Sequence, residues 1–276
     1  MNTDKFKEID GIKCYAPDIA ISKSDYPADL FHEFFKLESR NFWFKARNKM
    51  LIHLFKKYLG SSAKASVLEI GCGTGYVMQG LKAACRNYEM YGAELHLEGL
   101  KFAKKRMPDV EFIQLDATDL PFENNFNAIG AFDVLEHIDE DQRVMDSVFK
   151  ALKPGSHFFI TVPQYRWMWS ETDDIAFHKR RYTRKELKEK LINSGFQVKY
   201  MGSFVFFLFP FMIISRFINK TKSTDTNNNA VMAELKIPSV LNTIFYFFTL
   251  IDVWLVKWGL SLPWGGSLVC VAYKEN

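Results

Sequence analysis

The strongest constraint on this chain is the run "ASVLEIGCGTGYV", where a short apolar segment breaks into Gly71, Gly73 and Gly75 before a helical pattern resumes. An unbroken apolar run of this length reads as a strand buried on both faces. Glycines at its end predict a tight turn that a ligand can approach closely, and the helix beyond presents unpaired N–H groups to a negatively charged ligand group. The alternation continues. "YEMYGAEL" reads as a second strand, "EGLKFAKKRM" as a helix stopped by Pro108, and "VEFIQLDA" and "FNAIGAFDVL" as third and fourth strands. "DQRVMDSVFKAL" is a helix ended by "KPG", and "HFFITVP" a fifth strand. Strands and helices at this spacing predict an α/β fold of βαβ units with right-handed crossovers. "FQVKYMGSF" and "SLVCVAYK" supply two later strands.

Around this centre, residues 1–60 read as a helical lid, 61–204 as the ligand-binding α/β domain, 205–264 as an apolar helical insertion and 265–276 as a closing strand. A length of 276 residues suits one large domain with an insertion. The net charge of +4 is too small to form a phosphate-binding footprint, which argues against nucleic acid. Cys14, Cys72, Cys85 and Cys270 are scattered without metal-ligand spacing, so a reduced, cytoplasmic setting and no metal are expected. The charged opening "MNTDKFKEID" does not read as a secretory signal.

Three acids stand at strand ends. Glu69 lies two residues before the first glycine, Glu94 ends the second strand and Asp116 ends the third. In an open parallel sheet these ends line one crevice, where Glu94 is placed to accept from ribose hydroxyls. The loop reads G-x-G-x-G, which departs from the dinucleotide fingerprint and disfavours a nicotinamide oxidoreductase. "VLEIGCGTGYV", "YGAEL", "LDATDLPFENNFNAIGAFDVLEHI" and "ALKPGSHFFITVP" resemble successive motifs of class I, Rossmann-like S-adenosylmethionine-dependent methyltransferases, most closely the type 11/12 small-molecule subgroup. The resemblance implies a seven-stranded, mostly parallel sheet with an antiparallel edge hairpin. It further implies that Gly71, Cys72, Gly73 and Gly75 lie against the methionine part of the cofactor, with Glu69 beside them. Glu94 and Leu95 would address the ribose, Asp116 and Ala117 the adenine, and Phe132 the pocket wall.

The cofactor carries an activated methyl group, so alignment is the main demand on the protein; a base is optional and no metal is required. His137 and His178 are the base candidates, although "VLEHI" recurs in the family whatever the substrate, which favours a structural role for Glu136 and His137. Tyr165, Trp169, Arg181 and Tyr182 after the fifth strand are candidates for holding the acceptor, or equally aromatic anchors of a packed helix. Trp43 and Arg47, in "NFWFKARN", resemble a lid element of one subgroup, or else form a core helix face.

The stretches "SFVFFLFPFMIISRFI" and "VLNTIFYFFTLIDVWLVKW" are the most apolar, but Pro210 and Arg216 interrupt one, and Asp252 and Lys257 the other. Helices in the membrane interface, or a cap over the substrate site, fit better than a span. Both point to a small or lipid-like acceptor, with peripheral membrane contact through 204–264 on the inner face. Against nucleic-acid methylation, "FDVL" stands where an Asn/Asp-Pro-Pro-aromatic motif would serve base amino groups. A non-catalytic scaffold retaining the fold is the other alternative; the complete loop and three acids argue against it.

Overall fold

The computed structural model describes residues 6–22, 28–219 and 237–276. Nine strands form one sheet: β1 (Lys7–Ile9), β2 (Ile12–Cys14), β3 (Ala65–Ile70), β4 (Tyr88–Glu94), β5 (Glu111–Gln114), β6 (Phe126–Phe132), β7 (Leu152–Pro163), β8 (Gln197–Phe204) and β9 (Ser267–Lys274). Their order is β1-β2-β5-β4-β3-β6-β7-β9-β8. Strands β2 and β5 to β7 pair in parallel through β4 and β3, whereas β9 runs antiparallel to both β7 and β8. The helices are α1 (Pro17–Ser22), α2 (Ala28–Leu37), α3 (Phe42–Leu59), α4 (Tyr76–Ala84), α5 (Leu97–Arg106), α6 (Asp141–Ala151), α7 (Glu171–Ile175), α8 (Arg184–Asn193), α9 (Phe209–Asn219) and α10 (Ser239–Lys257).

Alternation along the strands divides the core. Val67, Met90, Phe112, Phe159 and Val269 face a layer containing α3, α4, α5 and α10, while Leu68, Ile113, Ile129, Phe158 and Leu268 face α6 and α8. Each central strand is therefore apolar on both sides, which is why it reads as a run without polar alternation.

The strand count corrects the expected seven. The first sixty residues, read as wholly helical, contribute the β1–β2 hairpin to the sheet edge. Strands of three residues are too short to display a period. The fully buried Gln114 secures this edge, because its amide accepts from the Ala16 N–H and donates to the Ala16 and Leu95 carbonyls. The helix read as ending at "KPG" does stop there, at Ala151, and Lys153, Pro154 and Gly155 lie within β7. Except for Asn219, the polar segment "NKTKSTDTNNN" lies outside the described residues.

By length and composition, α10 could cross a membrane. It nonetheless packs along α3. Phe245 meets Phe42 edge-on, Asn242 accepts from the Phe42 N–H, and the Lys45 ammonium sits 4.3 Å from the Tyr246 ring. Asp252, fully buried on this helix, accepts from the Phe206 N–H at 2.7 Å. Burial raises its pKa to about 6, against the pull of backbone N–H groups around Phe206. The folded state thus binds a proton more tightly than the unfolded chain, so this contribution to stability is full below pH ~4 and is lost as pH rises through about 6. Between about pH 4.5 and 7.5, denaturant unfolding should show wild type losing about 2 kcal/mol relative to Asp252→Asn, which keeps the acceptor without the charge. A stability difference constant over that range would contradict this account.

Candidate active site

A cavity of about 1230 Å³ opens at the carboxyl ends of the parallel strands. Its floor is the turn from β3 into α4. Gly71 takes φ +63°, and a Cβ there would come within 2.4 Å of Val134, so only glycine lets β3 approach the segment after β6 this closely. Gly73 also has positive φ, but a Cβ on it would meet nothing within 4 Å, leaving its backbone bare to the cavity. Glu94 organises this turn. One of its oxygens accepts from Gly73 N–H at 3.1 Å, the other from Leu95 and His96 N–H.

Glu69, Cys72, Leu95, Asp116, Ala117 and Phe132 join Gly71, Gly73 and Glu94 around the same cavity, so the three strand-end acids converge. Asp116 lies two residues beyond β5 and accepts from Thr118 N–H. Burial lifts the Glu69 carboxyl to about pKa 8, and one of its oxygens finds no hydrogen-bond donor. Gly75 does not line the cavity. It caps α4 at φ +76° and packs against Ala103 of α5.

A wall comes from the N-terminal helices. Asn41 caps α3 by accepting from Trp43 N–H, and the helical i,i+4 spacing then lays the Arg47 guanidinium 4.3 Å from the Trp43 ring. Both line the cavity. Arg47 is buried and paired with Asp133, which also accepts from the Thr161 hydroxyl. Glu38, after α2, accepts from Thr74 of the glycine turn and from Arg106 of α5. Asp133, Glu38 and Thr74 were missed from the sequence. Asp133 could have been found as a fourth strand-end acid; Glu38 carries no local signal, because its partners are 36 and 68 residues away.

The cavity lining beyond Asp133 includes His137, His178, Arg181 and Glu136. His178 Nδ1 lies 2.8 Å from Asp173, whose carboxylate Arg181 grips through both Nε and Nη2. His137 meets His178 edge-on with ring centroids 4.7 Å apart; burial and that neighbour push its pKa down to about 3. Glu136 is fully buried, and neither carboxylate oxygen meets a donor. Burial and the nearby Asp133 raise its pKa well above the carboxylate range.

Three acceptor-binding candidates lie elsewhere. Tyr182 is buried, donating to the Asp141 carboxylate and placed 3.2 Å from the Leu135 carbonyl. Tyr165 stacks on Trp167 beside Phe209, and the Trp169 indole donates to Asp174. These aromatics follow the anchor alternative, because their polar tips or faces have partners within their own segment or on the adjoining helices.

Residues 68–160 match the family described as a methyltransferase domain. A probable S-adenosylmethionine-dependent methyltransferase of Mycolicibacterium smegmatis is 26% identical over 167 residues, covering 59% of this chain and 62% of that protein. A fatty-acid O-methyltransferase of the same organism is 32% identical over 104 residues, covering 37% and 38% respectively. The chain thus spans less than two thirds of the length of these curated relatives. Among solved structures, the methyltransferase in complex with the Haloferax volcanii Trm112 methyltransferase activator shares the fold. It superposes at TM-score 0.58 with 15% identity, over 89% of this chain and 98% of that one. The matched segment, and the sheet and glycine turn that carry it, make residues 68–160 a methyltransferase domain similar to the class I, Rossmann-like S-adenosylmethionine-dependent methyltransferases of the type 11 subgroup.

Proposed function

We propose that the chain transfers methyl from S-adenosylmethionine to a hydrophobic, lipid-like acceptor reached from a membrane surface. The observation that carries this reading is the continuity of the cavity. It runs from the glycine turn and Glu94 to an apolar rim of Leu208, Phe211 and Met212 near α9 and Leu241 and Phe245 on α10. Outside the rim, Val240, Ile244, Phe247 and Trp254 recur at gaps of four, three and seven residues along α10, Trp258 caps its end, and all are exposed, Trp258 by 72%. Lys57 and Lys257 both lie within electrostatic reach of His53, and Lys57 approaches Gly259 just past α10, cations that suit an anionic headgroup layer. The fatty-acid O-methyltransferase relative is named for an acceptor of the same chemical class. On this reading the protein works peripherally at the inner face of a membrane, without a nucleic-acid partner.

The residues fit the cofactor. The bare backbone at Gly73 leaves room for it, Glu94 offers acceptor oxygens for a diol, and the buried Glu69 carboxylate would regain its charge beside a cationic group. When bound, S-adenosylmethionine supplies a methyl group already activated on a sulfonium sulfur. The chain's own task is orientation. The turn seats the donor, Trp43 and Arg47 form a side wall, and α9 with α10 keep water from the acceptor's path, an arrangement that can contribute several kcal/mol.

Labelled S-adenosylmethionine and anionic vesicles carrying fatty acids or quinols test the reading, with transfer to the lipid and release of S-adenosylhomocysteine expected. Phe247→Glu with Trp254→Glu should weaken vesicle binding at least about tenfold, because each inserted aromatic contributes about 1.5–3 kcal/mol. Cofactor affinity should be unchanged. Cofactor binding without transfer to any apolar acceptor would instead support a scaffold.

A further inference from the structure

We propose that Glu136, His137 and His178 form a site for one divalent transition ion of the zinc class, with an open coordination position facing the cavity. Each of the three residues offers a ligand atom, and those atoms all lie within 4.8 Å of one another. This is the spacing of groups that can close on one ion at about 2.0–2.2 Å per ligand. Their combination, two imidazoles and a carboxylate, suits zinc and its first-row neighbours rather than magnesium or calcium.

Two independent features point to a cation here. The Glu136 carboxylate is completely buried with both oxygens lacking a donor, a costly arrangement that a bound cation would offset. His178, meanwhile, is held as metal-binding histidines are held. Asp173 engages its Nδ1, Arg181 clamps Asp173, and the free Nε2 lies 4.0 Å from Glu136 Oε1. A carboxylate behind a histidine fixes its ring orientation and strengthens the far nitrogen as a ligand. Sequence spacing could not reveal this set, since His178 lies 41 residues beyond His137, and the expectation of no metal rested on the scattered cysteines and on methyl transfer needing none.

All three residues line the cavity, so three protein ligands leave a position open to a ligand there, the arrangement of a catalytic rather than a structural ion. Its occupant would be an oxygen donor, a hydroxyl or carboxylate. Only the identity of that oxygen as the methyl acceptor's rests on the function proposed above.

The full chain, stripped with chelator, is titrated with Zn²⁺ by calorimetry, without cofactor or acceptor. One ion per chain at micromolar affinity or tighter is expected, and cobalt-loaded wild type should show the intense visible bands of a low-coordinate site. Glu136→Gln and His178→Gln should each weaken zinc at least about 10–100-fold, the loss that even an outer partner's removal causes. His157→Gln, outside the cavity, should not, and circular dichroism reports whether each variant folds. No saturable site in the wild type, or undiminished zinc affinity in folded Glu136→Gln, overturns the proposal. Saturable zinc binding in a protein that transfers no methyl would leave the metal site standing and remove the methyl-transfer reading.

Discussion

Replacing Asp173 by alanine is expected to destabilise the protein by about 3–5 kcal/mol, the cost of removing one partner from a buried ion pair. Asp173 is 1% exposed and the Arg181 side chain 7%, so the guanidinium left behind would keep little access to water. Burial alone would raise the Asp173 pKa, yet hydrogen bonds from His178 and Arg181 outweigh it and hold the carboxyl below its usual range. This stabilisation is present above the unfolded carboxyl's pKa near 4 and fades as pH falls further. Asp173 also closes a capping box with Ser170 at the start of α7, so its loss would loosen the segment carrying His178. Denaturant midpoints at neutral pH measure the effect. A loss below about 1 kcal/mol would mean that water reaches Arg181 and that this wall is not the rigid support described above.

Glu94→Ala is expected to lower affinity for S-adenosylmethionine about ten- to a hundredfold, or roughly 1.5–3 kcal/mol for a charged acceptor of hydrogen bonds. The carboxylate does two things at once. It presents oxygens at the end of β4, and it holds the N–H groups of Gly73, Leu95 and His96 in the conformation that shapes the cavity. Glu94→Gln retains an acceptor without the charge, so it should fall between wild type and alanine. Calorimetry with S-adenosylmethionine and S-adenosylhomocysteine reads both variants. Equal affinity in all three proteins would move the diol-binding role away from Glu94.

Much of the sheet was legible because each central strand is its own signal. Val67 and Leu68, or Phe158 and Phe159, are successive residues that face opposite helical layers, so a strand buried on both sides is apolar throughout. The glycine turn was legible for a local reason too: positive φ at Gly71 and Gly73 is a backbone demand that glycine meets without steric cost. Position at a strand end then placed Glu69, Glu94 and Asp116 around one crevice, since parallel strands bring their carboxyl ends together.

The β1–β2 hairpin was not legible, being three residues per strand and secured by Gln114 from a distant part of the chain. Aromatic content after β7 suggested acceptor contacts, but Tyr182 turns its hydroxyl to Asp141 and Trp169 its indole to Asp174. Composition records that a ring is present, not which way it points. By itself the sequence determined the parallel α/β core, the cofactor turn and the acids beside it, because each depends on local backbone geometry or on strand periodicity. Only the tertiary structure decided the pairing of Arg47 with Asp133, the seating of α10 on α3, and the meeting of Glu136 and His137 with His178. Those contacts join residues far apart in the chain, and their energies come from burial and charge complementarity that exist only once the helices have packed on the sheet.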